Sequence, residues 1–139
     1  MIGVVTRLAI QRDMPIQSYR NLEAWQLGMD FVVDVYELSR QLPSEERYGL
    51  TAQIRRAAVS VPSNLSEGHQ LGGKSYSRSV SLVLGSLAEA NTQAEIALRL
   101  KYIDDDAFTA MTRKSSRLRQ VLHGLRRSLK LRERRAGER

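Results

Sequence analysis

Residues 50 to 68 read LTAQIRRAAVSVPSNLSEG, and the spacing of their apolar side chains decides the fold of the chain. These side chains recur every three or four residues, at Leu50, Ile54, Ala57 or Ala58, Val61 and Leu65. Such spacing places them on one face of an α-helix. Pro62 removes an amide donor and crowds the preceding turn, so a kink or a restart is predicted there. Gly68 suits the left-handed conformation that closes helices, and it is the predicted end of this helix.

Three further helical periods occupy the rest of the chain. One begins at Leu22 and ends near Leu42 and Pro43, and another runs from about Lys74 to Lys101. The last has apolar positions in alternating steps of three and four, at Phe108, Met111, Ser115, Leu118, Leu122, Leu125 and Leu129. No alternating pattern typical of strands competes with these periods. Short connections between the helices favour an all-α, antiparallel up-and-down four-helix bundle.

The first of the four helices has apolar side chains on two roughly opposite sides. One set consists of Leu22, Trp25, Met29, Val32 and Tyr36, and the second of Leu27, Phe31, Val35, Leu38 and Leu42. A monomeric bundle buries only one of them. Burial of one aliphatic or aromatic side chain contributes about 1.5 to 3 kcal/mol, so exposure of several is costly. We therefore expect a homo-oligomer.

Length and composition indicate one domain of a cysteine-free protein. At 139 residues, the chain fits a single core. We expect a flexible N-terminal extension over residues 1 to 18, the bundle over 19 to 131 and a disordered basic tail over 132 to 139, with Met14 as an alternative start. The absence of cysteine excludes disulfides, thiolate metal sites and a cysteine nucleophile. No secretion signal or membrane span is indicated, so a cytoplasmic location is expected.

Positive charge is concentrated near the carboxyl end of the chain. The formal net charge is +7. Residues 1 to 103 contain 11 Lys and Arg against 10 Asp and Glu, whereas residues 104 to 139 contain 11 against 5. Clustered cations release condensed counterions when they contact phosphates. A confined basic excess is therefore typical of a surface that binds nucleic acid or another polyanion.

The basic fourth helix is the strongest functional candidate. Between residues 113 and 135 there are ten cations and a single acid, Glu133. The predicted nucleic-acid-binding residues are Arg113, Lys114, Arg117, Arg119, Arg126, Arg127 and Lys130, with Arg132, Arg134 and Arg135 in the tail and Arg55 and Arg56 on the second helix. The alternative is a solvated charged face, although such faces usually mix both signs. Because residues 113 to 135 include no Phe, Tyr or Trp, we expect recognition of backbone and shape without base stacking.

Several other patterns have a structural interpretation beside the functional one. Arg55 and Arg56 form a cationic patch, or else a solvated face or an inter-subunit ion pair. Asn64, Glu67 and Glu89 are predicted to form a buried or interfacial hydrogen-bond set rather than a catalytic one, because no basic partner accompanies them. His69 and His123 are too far apart to form a metal pair on one helix, and each is interpreted as a surface or capping residue. No metal or other cofactor is expected.

Residues 68 to 75 read GHQLGGKS and satisfy the phosphate-loop pattern G-x-x-x-x-G-K-S. A working phosphate loop follows a strand, and its parallel sheet supplies a magnesium-binding Asp. Here the preceding segment is predicted to be helical, and no apolar strand ending in Asp is found. We therefore interpret the match as an ordinary turn between two helices. Nucleotide binding at this turn is the one enzymatic interpretation that the sequence suggests.

Four segments carry a resemblance to a known family, namely 19 to 26, 50 to 68, Gly85-Ser86-Leu87-Ala88-Glu89 and Tyr102-Ile103. They resemble the four-helix-bundle intervening-sequence proteins, first recognised in insertions within bacterial 23S ribosomal RNA genes. The resemblance covers roughly residues 19 to 130 and implies a ring of five subunits. The family is also distantly similar to the accessory variability proteins of retroelements, which form basic rings that bind nucleic acid.

Two functions from different classes follow. In the first, the protein is a non-enzymatic, oligomeric four-helix bundle that binds RNA or DNA through its basic C-terminal helix. In the second, it is a protein-protein scaffold in which the fourth helix binds an acidic protein and the second apolar set of the first helix builds the ring. The salt dependence of binding distinguishes the two functions, because the affinity of phosphate contacts falls steeply with ionic strength and that of apolar interfaces does not.

Overall fold

Four α-helices account for most of residues 18 to 138, which are the residues that the computed structural model describes. They are α1 at Glu23–Ser39, α2 at Leu50–Leu71, α3 at Gly73–Arg99 and α4 at Asp105–Gly137, with short 3₁₀ helices at Tyr19–Asn21 and Ser44–Glu46. Helix α1 packs on α2 and α4, and α3 also packs on α2 and α4. The described part of the chain contains no strand. The predicted all-α class and the four helices are confirmed.

The apolar face of α2 agrees with the periodicity of its sequence. Its predicted positions are all buried, with both alanines included: Leu50, Ile54, Ala57, Ala58, Val61 and Leu65. Pro62 lies inside the continuous helix Leu50–Leu71, so the alternative of a restart is wrong.

The end of α2 differs from the prediction as well. Helix α2 ends at Leu71, because Gly72 and Gly73 adopt φ values of 72° and 55° that other residues rarely adopt. Gly68 is instead a buried helical residue, and a Cβ atom added there would overlap Ser79 of α3. Gly68 therefore allows close approach of two helices rather than closing one.

The structure selects one of the two apolar sides of α1. Its core residues include Phe31, Val35 and Leu38, and Leu42 just beyond the helix is also buried. The outward side carries Met29, Val33 and Tyr36, whose exposed fractions are 41%, 61% and 38%. The second sequence set therefore lies in the bundle core, and the expectation that it builds an oligomer interface is wrong. Of the first set, only Met29 and Tyr36 share this outward side with Val33, because Leu22, Trp25 and Val32 are partly buried and pack against the core.

Helices α3 and α4 complete the core with the predicted apolar positions. Buried residues of α3 include Val80, Val83, Leu87 and Ala94, and those of α4 are Met111, Ser115, Leu118, Leu122 and Leu129. Phe108 and Leu125 are only partly buried but pack against this core. The Ser115 hydroxyl donates a hydrogen bond of 2.8 Å to Oδ1 of Asn91, which satisfies the buried polar group at the α3–α4 contact.

Helix α4 begins as predicted and ends later. The Asp104 carboxylate caps it by accepting a hydrogen bond of 2.7 Å from the amide of Ala107, and Asp105 and Asp106 occupy the first turn. The helix continues to Gly137, so the predicted disordered tail is wrong for residues 132 to 137. The Ser77 hydroxyl donates to Oε1 of Glu133 at 2.5 Å and ties this last part of α4 to α3.

Two other expectations concern the chain as a whole. Of the predicted N-terminal extension, residues 1 to 17 lie outside the described part of the chain, and Ser18 caps the first 3₁₀ helix by accepting from the amide of Arg20. Among residues 18 to 138, no helix is long and apolar enough to cross a lipid bilayer.

Candidate nucleic-acid interface

The first cations of α4 face carboxylates of α1. Nζ of Lys114 lies 2.7 Å from Oδ2 of Asp34, and a guanidinium nitrogen of Arg117 lies 2.7 Å from Oε1 of Glu23. Arg113 and Asp30 both line a groove between the two helices. The sequence predicted these three cations as binding residues, but in the fold Lys114 and Arg117 are paired with acidic side chains. The charge of these two cations is therefore largely balanced within the chain.

The later cations of α4 form a separate surface that we call the basic stripe: Arg119, Arg126, Arg127, Lys130 and Arg134. Spacings of three, four, seven or eight residues place them on one side of the helix. All are exposed except Arg126, which is half-buried. Within residues 18 to 138, no carboxylate forms an ion pair with any of them. At 1.5 Å per residue, the stripe extends over about 22 Å.

Arg55 and Arg56 are not joined to this stripe. Nε of Arg55 donates a hydrogen bond of 2.7 Å to the hydroxyl of Ser39, and its guanidinium carbon lies 4.6 Å from the centre of the Tyr36 ring. Arg55 therefore bridges α2 and α1. Arg56 is exposed and lines a shallow groove between α2 and α3 that also contains Glu89.

The predicted polar set of Asn64, Glu67 and Glu89 is not a buried network in this chain. The Asn64 amide donates to the backbone carbonyl of Ser60 at 2.8 Å, and both glutamates are exposed. Glu89 lies near Arg56 rather than near Asn64. Because α2 and α3 are joined by a short turn, a residue far from the turn on α3 lies beside a residue that is also far from the turn on α2. The buried form of the prediction is wrong, and the interfacial form stays a prediction.

Residues 68 to 75, which match the phosphate-loop pattern, span the end of α2 and the start of α3. They border a pocket of about 650 Å³ that we call the hairpin pocket. It is lined by His69, Gln70, Gly72, Gly73 and Tyr76 on one side and by Leu129, Arg132, Glu133 and Ala136 of α4 on the other. A helix precedes the motif where a phosphate loop needs a strand.

Tyr76 is the buried polar residue of this pocket, and the sequence analysis did not identify it. Its hydroxyl has no hydrogen-bond partner among residues 18 to 138, and its ring lies edge-on to that of His69 with centroids 5.5 Å apart. Burial raises the pKa of the Tyr76 hydroxyl, an effect that the nearby Arg132 guanidinium partly opposes. The phosphate-loop match pointed to this turn, but the burial of Tyr76 depends on α4 and is not visible in the motif.

The two histidines lie on different helices. His69 lies against Tyr76 at the end of α2, whereas His123 is half-buried in the middle of α4. Within residues 18 to 138, no three His, Asp or Glu side chains cluster as a metal ion would require.

The model of the 23S rRNA-intervening sequence protein family matches residues 20 to 124. The chain belongs to this family. The match covers α1, α2, α3 and most of α4, and it confirms the resemblance that the sequence segments carry. It ends before Arg126, so much of the basic stripe lies beyond it.

A solved structure supports the fold of this intervening-sequence protein. It is a protein of unknown function from the S23 ribosomal protein family of Bacteroides thetaiotaomicron, with a TM-score of 0.68 and 19% sequence identity. The similarity covers 74% of the present chain and 97% of that chain. At this identity the likeness establishes the fold alone. None of the curated proteins matches the sequence significantly.

Proposed function

We propose that this intervening-sequence protein is a non-enzymatic RNA-binding protein that contacts the phosphate backbone through the basic stripe of α4. The observation that supports this most directly is the row of five cations on one helical face, none paired with a described carboxylate. Arginine and lysine side chains in such a row gain most by meeting phosphates, because each contact releases condensed counterions. DNA offers the same phosphates, and a duplex of either kind is an outcome that the test distinguishes.

Recognition through this surface should depend on charge and shape rather than on base sequence. The stretch from residue 113 to residue 135 contains no aromatic side chain on which a base could stack. Phosphate contacts position a protein on nucleic acid but do not read its sequence. We therefore propose a preference for structured RNA, in which backbone phosphates are held at regular spacing.

The test is a titration of a fluorescent RNA hairpin, followed by anisotropy across a series of salt concentrations. Arg127→Gln and Lys130→Gln each remove one cation of the basic stripe and should flatten the log-log salt slope by about 0.7 to 0.9 per lost phosphate contact. Lys114→Gln is the matched control, because Lys114 is paired with Asp34. The same titration with a DNA duplex of equal length measures the preference for RNA.

Three results would overturn the proposal. They are the absence of binding at low salt, an affinity that does not change with salt, and an equal effect of Lys114→Gln and Lys130→Gln. Binding that is insensitive to salt would favour the second function, a protein-protein scaffold. The exposed apolar residues Met29, Val33 and Tyr36 on α1 are the observation that favours this alternative.

We further propose an antiparallel up-and-down bundle that assembles into a ring-like homo-oligomer. The antiparallel arrangement is supported by two contacts between α3 and α4, since Asn91 meets Ser115 whereas the earlier Ser77 meets the later Glu133. Association is supported by the apolar side of α1, which stays partly exposed in the single chain. A ring would repeat the basic stripe around one assembly and strengthen its attraction for a polyanion.

A further inference from the structure

Helix α1 is much shorter than α4 and stops before the end of the bundle that contains the hairpin pocket. It packs on α2 and α4 and begins at Glu23, which pairs with Arg117 of α4. Helix α4 continues beyond this ion pair to Gly137. At 1.5 Å per residue, residues 118 to 137 extend over about 30 Å. Much of the final part of α4 therefore has no part of α1 beside it.

The contacts of α1 with α2 give the direction in which α1 would continue. Ser39 accepts a hydrogen bond from Arg55, and the earlier residue Gly28 lies against Pro62. Moving back along α1 is therefore moving forward along α2, toward His69. Arg55, Pro62 and His69 follow one another at intervals of seven residues, which is about two helical turns, so they share one side of α2. His69 of the hairpin pocket thus lies on the side of α2 that α1 contacts.

The same relationship holds on α4. Met111 and Lys114 line a groove between α4 and α1. Leu129 and Arg132, which line the hairpin pocket, follow these two residues at an interval of 18 residues, or about five full turns. The pocket therefore continues the position of α1 between α2 and α4. Within residues 18 to 138, no side chain fills its volume of about 650 Å³.

The chain that precedes α1 approaches this end of the bundle. The 3₁₀ helix Tyr19–Asn21 packs on α2 as well as on α1, and residues 1 to 17 are joined to it through Ser18. Residues 11 to 17 span up to about 23 to 25 Å when extended. The pocket extends only about 10 Å along α4, from Leu129 to Ala136. Residues 4 to 10 are therefore within reach of it.

The composition of this segment suits the walls of the pocket. Residues 4 to 10 read VVTRLAI, with five apolar side chains and a single cation, Arg7. The pocket offers apolar surface at Leu129 and Ala136 and the aromatic ring of His69. It also contains the carboxylate of Glu133, one oxygen of which accepts from a serine of α3 while the other remains for a cation. Apolar and charged groups thus have complementary partners.

We propose that residues 4 to 10 of the same chain lie in the hairpin pocket and cover its apolar wall. A segment already joined to α1 meets the pocket at a high effective concentration, so it docks more readily than a separate molecule of the same affinity. The docked segment holds the last turns of α4 against the bundle, and these turns carry Lys130 and Arg134 of the basic stripe. The proposal does not depend on RNA binding, and either can fail alone.

Because the chain contains no cysteine, disulfide formation in the full-length protein tests this contact directly. Leu8→Cys with Ala136→Cys places one thiol in the segment and one at the exposed edge of the pocket. The control combines Leu8→Cys with Leu131→Cys, an exposed position of α4 outside the pocket lining. Intact mass and non-reducing electrophoresis after oxidation in a glutathione buffer measure closure within one chain. The first pair should close at least about tenfold faster than the control pair, the factor that a docking preference of about 1.4 kcal/mol produces.

Two results of this experiment would overturn the proposal. Equal rates for the two pairs would mean that the segment meets the end of α4 without a preference for the pocket. A disulfide between two chains, in place of one within a chain, would mean that a neighbouring copy supplies the segment.

A second measurement uses the chain without added cysteines. The glycines that line the pocket, Gly72 and Gly73, are labelled with ¹⁵N together with Gly85, which has no atom near it across a helix contact. A variant that begins at Met14 lacks residues 1 to 13. Its amide resonances of Gly72 and Gly73 should differ from those of the full-length protein, and that of Gly85 should not. Identical spectra would contradict docking.

One substitution with a matched control separates docking from a general effect of the truncation. Leu8→Asp places a carboxylate in the segment, and a charge without a partner is costly to bury against an apolar wall. It should reproduce the glycine shifts of the truncated variant. Gln11→Asp adds the same charge outside residues 4 to 10 and should leave the spectrum unchanged. Equal shifts from both substitutions would attribute the effect to charge and overturn the assignment of the segment.

Discussion

Nζ of Lys114 lies 2.7 Å from Oδ2 of Asp34, so a cation of the basic helix is paired with a carboxylate on a neighbouring helix. Arg117 is paired with Glu23 in the same way. A count of cations along α4 therefore overstates the charge that the helix offers to a ligand. Because the paired side chains are more than half exposed on the α4 side, each pair contributes only about 0 to 1 kcal/mol to stability.

Removal of the acidic partners should increase RNA affinity. In the double variant Glu23→Gln with Asp34→Asn, Lys114 and Arg117 lose their intramolecular partners and become free to contact phosphates. We expect tighter binding at low salt and a log-log salt slope steeper by up to about 1.4 to 1.8, the value for two added contacts. Anisotropy titrations of the RNA hairpin at several salt concentrations measure both quantities.

The matched control for this gain is Glu95→Gln. Glu95 pairs with Arg99 within α3 and lies outside the α1–α4 contact. Its removal changes the net charge by one unit and frees Arg99, so it reports the effect of releasing a cation outside the α1–α4 contact. If Glu95→Gln steepens the slope per carboxylate as much as the double variant does, the pairing of Lys114 and Arg117 is irrelevant to binding.

Substitution of two glycines by alanine should change stability in opposite directions. At Gly68 the added Cβ meets the side chain of Ser79 at the contact of α2 with α3, and overpacking of this kind costs about 1 to 3 kcal/mol. At Gly85 the added Cβ meets nothing within 4 Å, and alanine in an exposed helix interior is favoured over glycine by about 1 kcal/mol. Urea unfolding at one protein concentration measures both, and a loss of stability at Gly85 would show that its surface is covered.

Truncation of two leucines on α4 should show that a fully buried position contributes more to stability than a position at the edge of the core. Leu118 is 0% exposed, and Leu118→Ala should cost about 2 to 5 kcal/mol. Leu125 is half-buried against the core, so Leu125→Ala should cost clearly less. Thermal unfolding compares the two, and similar losses would mean that another surface covers Leu125.

Sequence periodicity predicted the helices but not which side of α1 is buried. Both apolar sets of α1 have helical spacing, so periodicity alone does not rank them. The buried side also carries Ala24 and Gly28, and a Cβ atom added at Gly28 would lie 3.1 Å from Val61 of α2. Small residues that permit this approach were the local signal, but the partner helix is needed to interpret it.

The candidate site was only partly predictable for a similar reason. The cations of α4 are evident in the sequence, whereas their pairing with Glu23 and Asp34 depends on how α1 crosses α4. Glu89 was placed with Asn64 because both lie in the segments that resemble the family, yet it lies in the groove with Arg56. Charge and periodicity describe one helix at a time, whereas these ion pairs and groove contacts depend on how two helices pack against each other.

Tyr76→Phe should stabilise the protein, most strongly at alkaline pH. The variant removes a buried hydroxyl that has no partner in the described part of the chain, so at neutral pH the melting temperature should stay equal or rise. The raised pKa of the Tyr76 hydroxyl means that its ionisation costs more free energy in the folded state than in the unfolded state. The pH-dependent stability of the wild-type protein is therefore fully present below about pH 10 and is lost as pH rises through the pKa of the folded state. Unfolding free energies of the two proteins between neutral and alkaline pH should therefore diverge above about pH 10.

Val33→Glu should dissociate the proposed homo-oligomer without unfolding the subunit. Val33 is 61% exposed at the centre of the outer apolar side of α1, between Met29 and Tyr36. A carboxylate there tolerates water but not burial against another subunit, because an unpaired charge is costly to desolvate. Native mass spectrometry should give a smaller assembly for the variant, with unchanged helical circular dichroism. Leu82→Glu is the control on α3, at an exposed leucine of similar size. Dissociation by Leu82→Glu but not by Val33→Glu would place the interface on α3 and contradict the role proposed for α1.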